Sequence, residues 1–263
     1  MSFPPSSGHP ARPSLAELRA ITQPQSTMSR RNAEHWMARW FLRAVSLRVT
    51  ALLIRTPVTA NQLTGLMIVV GLLAAIPLGA SGVVTAVVGV VAIWVYFLLD
   101  LCDGEVARWR RQTSIKGVYL DRVGHYLVEA AVISAYGWRA ADQHLGGWTT
   151  LGVLGGLLVV LVKAETDLVD VARTRSGLAA ASEESVELRS SALGMLRRAA
   201  QVLKVHQLTG ALESSLLLLV AAVVDAATGS LVGTRVLLVA LAAIAGVMTV
   251  LHLASILLSR RLD

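Results

Sequence analysis

Between residues 100 and 125 the chain gathers a set of groups that could do chemistry: Asp100, Asp103, Arg108, Asp121 and His125, all beside long apolar runs. Asp100 and Asp103 are three residues apart, and Asp121 and His125 four apart, so on helices each pair shares one face. Ionisable groups at membrane depth are costly and usually face a polar cavity. If the link between two helices turns tightly, these faces meet, and the carboxylates repel one another unless cations sit among them. Oxygen-rich donors of this kind suit Mg²⁺ or Mn²⁺, and a bound divalent ion would in turn attract a diphosphate. Gly104 and Gly117 have no side chain and allow a ligand close to the backbone, while Arg108 can pair bidentately with phosphate. The plainer alternative is a row of carboxylates ending a helix beside basic loop residues, and the clustering argues against it.

The elements that must position these groups are membrane helices. The chain has 263 residues, of which 54% are hydrophobic and 16% charged, against roughly 25% charged in soluble domains. Together with a mean hydropathy of +0.62, this excludes a single water-soluble core. The expected fold class is all-α, a polytopic membrane protein with six transmembrane helices and an N-terminal interfacial amphipathic helix. The six segments are roughly Gln62 to Ala80, Gly82 to Leu101, Gly117 to Trp138, Leu145 to Val162, Ala211 to Thr228 and Thr234 to Leu258. Charges inside the third and fifth weaken those two. Short links after the first, third and fifth predict antiparallel hairpins.

The net charge is +7, and the basic residues follow the loops. Arg12 to Arg55, Arg108 to Lys116, Arg173 to Lys204 and Arg260 to Arg261 lie on one side, against only Arg139 and Arg235 on the other. This bias places both termini in the cytoplasm and leaves Trp138 and Trp148 as belt residues at the outer boundary. Residues 1–31 hold five prolines and no amphipathic period, and are expected to be a mobile cytoplasmic segment. They lack the apolar core of a signal peptide. Residues 32–56 interleave Trp36, Trp40, Phe41, Val45 and Leu47 with Arg39, Arg43 and Arg48, which predicts a helix lying in the interface, with anchoring favoured over ligand binding. Residues 57–263 form the six-span domain, with a cytoplasmic loop at about 165–208 whose second half, Ser191 to Gln207, reads as another basic surface helix. The single cysteine, Cys102, excludes a disulfide framework and reads as a small apolar filler.

The run from Asp100 to His125 resembles the signature of the CDP-alcohol phosphotransferases, D-x2-D-G-x2-A-R-x8-G-x3-D-x3-D. It matches at Asp100, Asp103, Gly104, Ala107, Arg108, Gly117 and Asp121. The resemblance implies a membrane enzyme of phospholipid biosynthesis that displaces CMP from a CDP-linked donor, commonly CDP-diacylglycerol, with an alcohol acceptor. It further implies that Asp100, Asp103 and Asp121 hold Mg²⁺ or Mn²⁺, as two ions or one. Gly104, Ala107, Arg108 and Gly117 would line the CDP pocket, with Asn61 and Thr64 resembling a nucleotide-side pair on the first span. The family's acceptor pocket lies near later spans, so Lys163 and Arg173 are candidates for acceptor binding, although Lys163 is equally placed to snorkel. A homodimer, the lipid bilayer as partner and a bacterial inner membrane as location complete what is expected.

The eighth signature position, where the family has an aspartate assigned as base, is His125. A neutral imidazole can take a proton or ligate metal, so His125 is read as catalytic base or metal ligand. Two alternatives stay open: an active site using another base, and an inactive relative. Glu105 is a poor substitute on pattern, because it lies two residues past Asp103 and is turned from the Asp100 and Asp103 face. Asp225 and His252 stand singly near span ends and read as solvated. A catalytically silent CDP-lipid binder and, less favoured, a transporter are the competing functions. Nucleic acid is not expected as a partner, because the basic residues track topology instead of forming one patch.

Overall fold

The computed structural model describes residues 13–24, 41–178 and 205–259. Eight α-helices occur among them: α1 (Leu15–Thr22), α2 (Arg43–Leu53), α3 (Ala60–Gly79), α4 (Val83–Trp109), α5 (Ile115–Ala140), α6 (Gly147–Arg175), α7 (Ala211–Thr228) and α8 (Val232–Leu257), with a 3₁₀ turn at Val205–Thr209 before α7. The six long helices, α3 to α8, correspond to the six expected segments. Five of them, α3, α4, α6, α7 and α8, are long and apolar enough to cross a membrane. The fold is all-helical, as expected, and these five helices make the chain an integral membrane protein. The exception is α5, which is long enough but carries Lys116, Asp121, Arg122, His125, Glu129 and Arg139. Stripes of apolar side chains point outward at helical spacing, such as Val69, Leu73 and Ile76 on α3, each more than half exposed. Such stripes suit contact with lipid.

Two compact units are distinguished: Met1–Ala74 with Val91–Val128, and Ala75–Val90 with Glu129–Asp263. In the first, the described part of the segment expected to be mobile, residues 13–24, holds helix α1. Ser14 and Glu17 form a capping box, in which Ser14 Oγ accepts from the Glu17 amide and the Glu17 carboxylate accepts from the Ser14 amide at 2.8 Å. These bonds hold the Glu17 carboxyl below its ordinary pKa. Leu18 on α1 then packs against Leu47 of α2 and Trp109 of α4 in one buried cluster, flanked by Ile21, Ala51 and Ile54. The Trp36 to Trp40 part of the expected interfacial helix lies outside the described residues, and its remainder is α2. After α2, Arg110 donates to the carbonyls of Leu53, Thr56 and Val58, tying the link before α3 to the end of α4. Burial lowers the Arg110 pKa.

The second unit is built on close backbone packing. A Cβ on Gly137 would come 2.7 Å from the Gly152 Cα, so only glycine allows α5 and α6 to meet there. Helix α8 packs against α6 and α7, and α6 runs to Arg175, well past the expected end at Val162. Two residues expected to be solvated are instead engaged. Asp225 is buried and accepts from the Thr234 amide and hydroxyl at 3.1 and 2.5 Å. His252 Nδ1 lies 3.2 Å from the Glu165 carboxylate. Both corrections have one cause, since a lone polar group near a span end finds its partner on another helix, which periodicity does not reveal. Arg139 is also fully buried, donating to Ala80 O, Gly82 O and Thr234 Oγ1. Trp138 is partly exposed, and the Arg235 guanidinium lies 5.4 Å from the Trp148 ring centroid. Of the expected surface helix Ser191 to Gln207, residues 191–204 lie outside the described residues.

Candidate active site

The last turns of α4 have two working faces. Asp100, Asp103, Gly104, Ala107 and Arg108 point to one side, into a cavity of about 330 Å³. Cys102, Glu105 and Trp109 recur at the same helical spacing on another side, toward α1 and α2. The cavity lies within the first unit. It is closed by Arg43 of α2, by Ala60, Asn61 and Thr64 of α3, by Gly117, Val118 and Asp121 of α5, and by the turn carrying Gln112, Thr113 and Ser114. That turn begins at Arg111, whose φ of 52° lets the Gln112 amide reach back to Ala107 O at 2.9 Å and stop α4. All six positions expected to contact CDP therefore line one cavity, together with the three aspartates.

The two signature glycines are explained by close approach. A Cβ at 117 would meet Asn61 Oδ1 at 2.9 Å, and one at 104 would meet the Arg108 guanidinium at 3.1 Å. Glycine thus lets Asn61 lean across the start of α5 and lets Arg108 fold over α4. Arg108 is held there by its Nε, which donates to Thr22 O at 2.6 Å.

Asp100, Asp121 and His125 each bring one ligand atom into a group whose atoms lie within 4.8 Å of one another. His125 Nε2 is 3.2 Å from Asp100 Oδ1 and 3.5 Å from Asp121 Oδ1. Its Nδ1 is 2.7 Å from the hydroxyl of Tyr96, a fully buried residue of α4. If Nδ1 carries the proton and donates to Tyr96, Nε2 offers its lone pair toward the two carboxylates, where a cation or an acceptor hydroxyl proton could sit. Two carboxylate oxygens and one imidazole nitrogen fit Mg²⁺ or Mn²⁺ in donor type.

Asp103 lies outside this trio. It is 9% exposed, lines the cavity, and accepts from Thr64 Oγ1 at 2.5 Å. One hydroxyl on α3 thus orients a carboxylate on α4, which assigns Thr64 a role in aiming Asp103. Lys163 and Arg173 belong to the second unit and are not among the residues lining the cavity. Lys163 Nζ pairs with Glu129 Oε1 at 2.5 Å.

Sequence reasoning missed Tyr96, Arg43 and the turn at 112–114. Tyr96 sits inside an apolar run, but its place four residues before Asp100 and on the same helical face was a usable signal. Glu105 is turned from the cavity, as its spacing indicated. It is fully buried and accepts from Gln23 Nε2 at 2.8 Å, Ser46 Oγ at 2.7 Å and Thr50 Oγ1 at 2.7 Å, with the Arg43 guanidinium 3.8 Å away.

Comparison with known proteins agrees with this geometry. A search of curated proteins finds no significant match. The family model for CDP-alcohol phosphatidyltransferases matches residues 57–260, which include every signature position lining the cavity. That span is most of the chain, and the protein belongs to the CDP-alcohol phosphatidyltransferase family.

Proposed function

We propose that this protein moves a phosphatidyl group from CDP-diacylglycerol to an alcohol acceptor, releasing CMP, in phospholipid biosynthesis. The observation that carries this reading is the convergence of the seven matching signature residues, with Asn61 and Thr64, on one cavity, and His125 beside two of its carboxylates. Asp100 and Asp121 would hold a divalent ion beside His125, whose Nε2 is kept for the proton, and Asp103 supplies a further carboxylate for a second ion. Such ions would offset charge on the transferring and leaving oxygens. Arg108 pairs with phosphate, and Asn61 and Thr64 border the nucleotide. The acceptor oxygen attacks the phosphorus bearing the lipid, its bond to the CMP oxygen breaks, and the acceptor proton passes to His125 Nε2, which Tyr96 holds in register. Lys163 and Arg173 are proposed as acceptor contacts. The loop charge bias supports a cytoplasmic site and cytoplasmic termini, and a homodimer in a bacterial inner membrane is the proposed setting.

The test is CMP release by the detergent-purified protein. It would be given CDP-diacylglycerol, Mg²⁺ or Mn²⁺, and polyol, polyol-phosphate, amino-alcohol and lipid-alcohol acceptors, with Asp103→Asn as blank. Acceptor-dependent release above that blank is expected. A second reading, a silent CDP-lipid-binding relative, draws on the replacement of the usual aspartate by His125. It would be supported by metal-dependent donor binding with no CMP formed by any acceptor.

A further inference from the structure

The family match begins at residue 57, yet the cavity has a wall that lies before it. Arg43 of α2 lines the cavity together with Arg108. Glu105 offsets part of their charge from behind, and the two guanidinium groups lining one cavity offer paired donors to an anion that enters it. Both arginines are also held by the N-terminal helices. Arg108 Nε donates to Thr22 O at 2.6 Å, and Gln23 Nε2 donates to Arg43 O at 3.2 Å and to Glu105 at 2.8 Å. Ser46 Oγ sits between the same two groups, donating to Glu105 at 2.7 Å and lying 3.1 Å from Arg43 O. Glu105 is thus the post on which α1, α2 and the Arg43 guanidinium are mounted, and it has no exposed surface with which to touch a ligand itself.

We propose that Arg43 is a second phosphate-binding arginine, which with Arg108 grips the diphosphate of the CDP-linked donor, and that Glu105 is its positioning residue. This rests on the proposed donor class. The carboxylates that would hold metal face the cavity from α4 and α5, and the paired guanidinium groups would complete the neutralisation from α2, through Arg43, and from the end of α4, through Arg108. A segment outside the family match thereby becomes part of the donor site, and α2 does more than anchor the chain at the interface.

The test measures binding of CDP to the full-length detergent-purified protein with Mn²⁺ by calorimetry, with unfolding midpoints recorded in parallel. Wild type should bind, and Asp103→Asn should bind much more weakly. Arg43→Gln should raise the Kd roughly tenfold or more, the size expected for losing a hydrogen bond to a charged group. Arg43→Lys should recover part of the loss. Glu105→Gln, which leaves Arg43 without its counter-charge, should give a smaller rise in Kd. Arg48→Gln, on the exposed side of the same helix, is the control and should leave CDP affinity unchanged. Wild-type affinity in Arg43→Gln, or an equal loss in Arg48→Gln, would overturn the assignment while leaving the proposed function standing. No CDP binding by wild type would instead remove the proposed function, and this inference with it.

Discussion

Asp100 and Glu105 are five residues apart on α4, and they live in opposite circumstances. Glu105 is fully buried and accepts from three neutral donors on α1 and α2, with one guanidinium at 3.8 Å. Asp100 is 21% exposed, lines an open cavity, and is gathered with Asp121 and His125 so that three potential ligand atoms crowd one point. Satisfying a buried carboxylate with fixed donors fixes structure, because any movement leaves a charge without partners. Crowding acids around a partly open point does the reverse and leaves binding capacity for something that arrives later. One helix does both because its faces alternate faster than its charges.

Removing the gathered acids should have the largest effect. Asp121→Asn, or chelation of divalent ions, should lower CMP release by more than the roughly 10–100-fold typical of losing a ligand's supporting partner. Full activity in either would erase the contrast between the two faces. Next comes His125. Its change to Ala should cost about 10²–10⁴-fold in turnover, whereas His125→Asp, which restores the family's usual residue, should preserve or raise it. Equal turnover in wild type and the Ala variant would remove the base assignment. On the opposite face the readout is stability. Glu105→Leu strands three donors and a guanidinium and should destabilise by about 3–5 kcal/mol, visible as a lower unfolding midpoint in detergent. Thr64→Val sharpens the comparison from the cavity side. It removes one charge-assisted donor to Asp103 and should raise the Mn²⁺ concentration needed for half-maximal activity about tenfold. Cys102→Ala should matter least, costing about 1 kcal/mol or less with turnover unchanged.

The cavity was legible in the sequence because its acids, glycines and Arg108 sit at helical spacings on helices long enough to recognise from composition. Six long helices were legible for the same reason. Partners supplied from far along the chain were not legible. Glu105 finds Gln23, Ser46 and Thr50 at separations of 82, 59 and 55 residues, and a period of 3.6 says which face a residue occupies, not what that face meets. Helix α1 was hidden by the prolines around it, although Ser14-Leu-Ala-Glu17 is a capping-box sequence and the signal was present. Asp225 and Arg139 read as boundary charges because their burial depends on Thr234 and on the Ala80 and Gly82 carbonyls. Asp103 looked equivalent to Asp100 by spacing, and the Thr64 hydroxyl sets it apart.

The chain's one thiol lies at the seam between these regions. Cys102 has no exposed surface, and its Sγ lies 3.8 Å from Ser46 O on α2. A maleimide cannot reach it while α2 is seated, so each alkylation event records a moment when that helix has lifted. The native protein therefore contains its own clock for the breathing of this wall, needing no introduced thiol. Any ligand that braces α2 against α4 would slow the clock in proportion to how firmly it holds.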